Sequence, residues 1–75
     1  MPRLPSVSAR EVVRVLETIG FSLERQVGSH LILRNAELRQ TISVPNHDPV
    51  KPGTLRSLLR SVGLSPGELS ELLRR

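Results

Sequence analysis

The sequence predicts an α+β fold of two layers, ordered α-β-β-β-α with an antiparallel three-stranded sheet and a short extra C-terminal helix. Three observations carry that expectation. "SVSAREVVRVLETIGF" and "KPGTLRSLLRSVGLS" place apolar residues at helical spacing, whereas the stretch between Phe21 and Val44 alternates with a period of two. The 75 residues leave room for one domain, a core of about 8–65 plus an added helix of about 66–74. Chains this small bury only about 60% of the surface they expose unfolded.

Ser8 followed by Glu11 has the form of a capping box, and Val12, Val13, Leu16 and Ile19 then repeat at helical spacing, so a helix is expected over about 9–19 with Gly20 as its end. Arg10, Arg14 and Glu17 fall on its wet side. Phe21 to Gln26 reads as a first strand, with Phe21 and Leu23 on one face and Ser22, Glu24 and Gln26 on the other. Gly28 and Ser29 form a turn, His30 to Arg34 a second strand, Asn35 to Arg39 a polar loop, and Gln40 to Val44 a third strand. In "PNHDPVKPG", Pro45, Pro49 and Pro52 oppose both ladder pairing and helix interiors, so an ordered loop is expected there. A second helix follows from Pro52 to Val62 with Leu55, Leu58, Leu59 and Val62 on one stripe and Gly63 as its stop. Ser65, Pro66 and Glu68 then repeat the grammar of a helix start.

Strand parity sets Leu31, Leu33, Ile42 and Val44 against one layer of helices and leaves His30, Ile32, Arg34, Thr41 and Ser43 on an uncovered face. His30 is therefore placed outside the core, at the edge of a strand and beside a glycine turn. A chain optimised only for stability would carry valine there.

Composition narrows the function. With one Phe and neither Tyr nor Trp, Leu, Val and Ile supply the core, and neither a deep cofactor cleft nor an aromatic platform for stacking bases is expected. No cofactor is implied. The absence of cysteine excludes a disulfide framework and thiolate zinc sites and fits a reducing compartment. No apolar run approaches the roughly 20 residues of a membrane span, so a cytoplasmic protein without a membrane partner is expected. The net charge is +4, the pI is near 11.4, and Lys51 is the one lysine among arginines. Guanidinium groups bind phosphate bidentately, so a basic chain of this size points to nucleic acid or an acidic protein.

"GFSLERQVGSHLIL", "TISVPNH" and "KPGTLRSLLRSVGLS", at these spacings and in this order, resemble the HicA (YcfA-like) family of bacterial toxins over about Ser8 to Ser65. Phe21 stands where many members have tryptophan, and the helix near residues 66–74 lies beyond the match. The resemblance implies a double-stranded-RNA-binding-domain-like fold. It further implies the toxin of a type II toxin–antitoxin system, an endoribonuclease that cleaves mRNA. The histidine of its Gly-Ser-His triplet is catalytic, a role that carries over to His30. The implied partner is a HicB-type antitoxin, and an oligomer, with itself or with that antitoxin, is compatible with it.

Elementary chemistry suits the same residue. Cleaving RNA without metal needs a base for the 2′-hydroxyl proton, an acid for the departing 5′-oxygen, and donors for the phosphoryl group. Imidazole, with an unperturbed pKa of about 6.5, supplies base or acid near neutrality. Gly28 allows close approach of a phosphate, and the amide and hydroxyl of Ser29 are donors. His47 offers either the second member of an acid–base pair or an ordinary turn residue. A metal site from His30, His47 and Asp48 lacks the spacing of known sites, and no metal is expected. For RNA phosphates the candidates are Arg25 just before the turn, Arg34 on the open face, and Arg56 and Arg60 on the second helix. Lys51 and Thr54 at that helix's amino end complete the set. The rival reading is a non-catalytic RNA-binding or protein-interaction module of the same fold, which would tolerate loss of His30.

Overall fold

A computed structural model describes residues 4–75. It gives α1 (Ala9–Thr18), β1 (Ser22–Val27), β2 (His30–Asn35), β3 (Gln40–Pro45), α2 (Pro52–Val62) and α3 (Pro66–Leu73). Both capping boxes form. The Ser8 hydroxyl accepts from the Glu11 amide at 3.2 Å and the Glu11 carboxylate accepts from the Ser8 amide at 3.0 Å. Ser65 and Glu68 repeat the exchange at 3.1 and 2.9 Å. Each cap satisfies two amides that a helix start leaves without a partner.

The sheet is antiparallel in the order β1-β2-β3, as the α+β expectation requires. Leu33 and Val44 are fully buried, and with Phe21, Ile42, Leu55, Leu58 and Leu59 they meet Val12, Val15 and Leu16 of α1 in one core. α3 belongs to that core as well. Leu69 is buried, Leu72 and Leu73 pack against the cluster, and the Arg14 guanidinium donates to the Leu73 carbonyl at 3.4 Å.

Five details depart from the sequence reading. First, β1 does not alternate throughout. Leu23 pairs with Leu33 and Arg25 with Ile32, which leaves Glu24 as a bulge. One extra residue swaps every later side chain to the other face. Gln26 therefore joins the helix side opposite Leu31, whereas Arg25 and Val27 join the open face opposite Ile32 and His30. Second, Leu23 is not core: it is 46% exposed, because β1 is an edge strand and the buried sheet residues belong to β2 and β3. Third, Asn35 is not loop but the buried end of β2. Its Nδ2 donates to the Ile19 carbonyl at 3.3 Å and its Oδ1 accepts from the Leu38 amide at 3.1 Å. Gly20, at φ 103°, permits that contact, since a Cβ there would stand 2.9 Å from Asn35 Nδ2. Fourth, Pro45 is the last residue of β3, opposite His30, a position open to proline because β3 is the other edge. α1 also stops one residue early, at Thr18, with Ile19 as its cap.

Candidate active site and nucleic-acid interface

The candidate site is built at one end of the sheet. β2 starts at His30, which pairs with Val27 across the turn and with Pro45 on the other side, so it is flanked on both sides and its side chain is exposed. The register of alternating faces sets it beside Ile32 and Arg34 and opposite the core residues Leu31 and Leu33. Gly28 turns the chain at φ 60°, with no atom within 4 Å of where a Cβ would stand. The turn is thus open to close approach.

The loop after β3 closes on the same end. The Asn46 amide donates to the Ser29 carbonyl at 2.7 Å, the Ala9 amide to the His47 carbonyl at 2.9 Å, and the Val50 amide to the Val7 carbonyl at 2.8 Å. Three backbone bonds therefore hold the proline-rich loop between the β1–β2 turn and the start of α1, while Asn46, His47, Asp48 and Lys51 keep exposed side chains. Among the described residues, no three His, Cys, Asp or Glu side chains gather into a group able to hold a metal. His30, His47 and Asp48 do not form one.

The candidate phosphate ligands separate into three places. Arg25, through the bulge, and Arg34, by simple parity, share the open face with His30. The Arg34 guanidinium donates to Thr41 Oγ1 at 2.9 Å across the ladder, and Arg25 lies 3.6 Å from Glu24, with both side chains well solvated. Such exposed pairs contribute well under 1 kcal/mol and yield readily to a phosphate. Lys51 and Thr54 stand at the amino end of α2, which follows the loop from β3, so they lie toward the same end as His30. α2 then runs back along the sheet until the Gln40 amide donates to the Ser61 carbonyl at 2.9 Å near the far end. Its buried stripe of Leu55, Leu58 and Leu59 turns Arg56 and Arg60 outward on the helical layer, away from the His30 face. Electrostatics at α1 are set by its cap: the hydrogen bond from the Ser8 amide lowers the Glu11 pKa below its ordinary 4.5, desolvation opposes it as the next largest effect, and the Ser8 hydroxyl and Arg14 add smaller lowering contributions.

Residues 9–64 match the family model described as the HicA toxin of bacterial toxin–antitoxin systems. The chain belongs to the HicA toxin family. No curated protein and no solved structure matches it. The HicA match spans α1 through α2 and stops before α3, so it covers the whole sheet, the His30 turn and the loop that bears His47. No helix among the described residues of this HicA member is long and apolar enough to cross a membrane.

Sequence reasoning did not single out Arg10, Gln26 or Asn46 as site residues, yet they meet in a groove beneath the β1–β2 turn. Asn46 carried a faint signal as a polar residue following the third strand. Gln26 carried none, because strict alternation put it on the wrong face.

Proposed function

We propose that this HicA member, acting as a single domain, is the toxin of a type II toxin–antitoxin pair and a metal-independent endoribonuclease that cleaves mRNA in the cytoplasm, with His30 as general acid or base. The observation that carries the reading is the exposed imidazole at the start of β2, beside an open glycine turn and on the same face as Arg25 and Arg34. In the reaction the 2′-oxygen bonds to the adjacent phosphorus and the bond from phosphorus to the 5′-oxygen breaks. One proton leaves the 2′-hydroxyl and one is delivered to the departing oxygen, so the products are a 2′,3′-cyclic phosphate and a free 5′-hydroxyl. His30 handles one of these transfers. Ser29 and the amides of the Gly28–Ser29 turn hold the phosphoryl oxygens, Arg25, Arg34 and Lys51 hold the flanking phosphates, and His47, on the loop bonded to Ser29, is the candidate for the second proton. The HicB-type antitoxin would cover the same face with carboxylates where phosphates otherwise lie.

Incubating RNA with the purified protein and with His30→Ala tests the reading. The wild type is expected to cut in the presence of chelator and to leave cyclic phosphate ends, and 2′-deoxy substitution at the scissile nucleotide should block it. Cleavage by His30→Ala at the wild-type rate would sink the assignment.

A further inference from the structure

We infer that the groove beneath the β1–β2 turn is a nucleobase pocket that gives cleavage its sequence preference. The inference rests on RNA being the ligand of the His30 face. The groove encloses about 220 Å³ and is lined by Arg10 and Val13 of α1, Leu23 and Gln26 of β1, Leu31 of β2 and Asn46. That is below the roughly 300–1,000 Å³ of pockets for drug-sized ligands, and it suits one planar ring rather than a whole nucleotide. Val13, Leu23 and Leu31 provide apolar walls for the faces of such a ring, and the polar groups can meet its edge.

Those polar groups have bonding capacity to spare. The Gln26 amide donates one N–H to the Gly28 carbonyl at 3.0 Å, which leaves its Oε1 as a fixed acceptor. Among the described residues the side chains of Asn46 and Arg10 make no hydrogen bond, and Arg10 makes no ion pair. The Gln26 acceptor and the Asn46 amide between apolar walls match the mixed donor and acceptor edge of a base, which leaves the guanidinium for its phosphate. The composition predicts no stacking platform, since the chain lacks Tyr and Trp; here amide edges replace stacking.

The pocket is also in the right place. Leu31 lines it and His30 precedes Leu31, with side chains on opposite faces of one hairpin end, and Gln26 pairs with Leu31 as Val27 pairs with His30. A strand of RNA whose scissile phosphate lies at His30 reaches the pocket by crossing the turn at Gly28, where there is open space. The neighbouring groove, lined by Ser8, Ala9, Arg10, Asn46, His47 and Asp48, shares Arg10 and Asn46 with the pocket. Arg10 stands at the common lip, where the phosphate of the inserted nucleotide would lie, with Asp48 the one carboxylate lining either groove.

The test uses wild-type protein and 2′-O-methyl RNA hexamers, which lack the attacking hydroxyl, with an abasic site moved through each position. One abasic position should weaken binding about tenfold, as loss of a hydrogen-bonded base edge does, and the others about twofold or less. Gln26→Ala and Asn46→Ala should each reduce the preference among the four bases at that position to within about twofold, while hexamers abasic there bind them as they bind wild type. If no abasic position matters more than another, or if both variants weaken every hexamer equally, there is no base pocket. Cleavage of unmodified RNA is scored separately. Base-dependent binding without cleavage upholds the pocket and removes the endonuclease, whereas cleavage without base dependence does the reverse.

Discussion

The two faces of the sheet use the same strands for opposite ends. On β2, Leu31, Leu33 and Asn35 turn toward the helices, and Leu33 is wholly buried against α1 and α2 residues. His30, Ile32 and Arg34, interleaved with them, turn to solvent beside Arg25, Thr41 and Ser43. The helix side holds nearly all the buried apolar area, which at about 25 cal/mol per Å² is the main stabilising term. The open side contributes little to stability and is free to carry an imidazole and guanidinium groups that a core would exclude. A period of two thus lets a chain of 75 residues separate stability from chemistry without a second domain.

If that separation is real, substitutions on adjacent positions of β2 must fail in different assays. His30→Ala should lower RNA cleavage by about 10² to 10⁴, the usual worth of a positioned acid or base, yet change unfolding free energy in urea by less than about 1 kcal/mol. Leu33→Ala should do the opposite. Loss of a fully buried leucine costs about 2–5 kcal/mol, read from the urea midpoint, while activity per folded molecule stays near wild type. A His30→Ala protein that unfolds would break the comparison at once.

Charge on the open face sharpens it. Reversing Arg25 and Arg34 to glutamate together should weaken RNA binding and flatten its salt dependence, the slope of log affinity against log salt falling by about 1.4 if each contacts one phosphate of a single strand. The same change at Arg56 and Arg60, on the outer side of α2, should affect binding less if the His30 face is the one that meets RNA. Filter binding across a salt series distinguishes the two pairs.

Smaller effects belong to the framework. Ser8→Ala removes the hydroxyl cap of α1 and should cost about 1 kcal/mol in thermal or urea unfolding. Because Glu11 has its pKa lowered in the folded protein, its contribution is present above the unfolded carboxylate value and fades as pH falls through the folded one. Glu11→Gln should therefore lose stability at neutral pH but show a shallower decline below pH 4.5 than wild type. Arg39 takes a left-handed φ of 52° in the β2–β3 turn, a conformation costly for any residue with a Cβ. Arg39→Gly should raise stability by about 0.5 kcal/mol after the added freedom of the unfolded glycine is offset.

Local chemistry made most of the architecture readable. Each helix start is marked by a serine with a glutamate three residues on, or by a proline, and Gly63 marks the α2 stop with its left-handed φ of 75°. These signals act within four or five residues, so the chain carries them in the open. Alternation on β2 and β3 likewise assigned His30 and Arg34 to the open face, because neither strand is bulged and both are held in register by a buried side.

Other features had no local mark. The bulge at Glu24 lies between the Leu23–Leu33 and Arg25–Ile32 pairs, and it exists only once the two strands have paired. It moves Arg25 to the His30 face and Gln26 beneath the turn. Asn35 is buried because Gly20, 15 positions earlier, leaves space for its amide beside Ile19. α3 looked like an appendage, yet Leu69 seals the core between α1 and α2. The sequence by itself determined which segments are helix and strand, where the helices begin, and that His30 lies outside the core, since those choices depend on neighbours along the chain. Tertiary structure decided which side of the sheet Arg25 and Gln26 occupy, how the His47 loop meets Ser29, and what the last helix is for, since those depend on groups that meet only when distant segments pack.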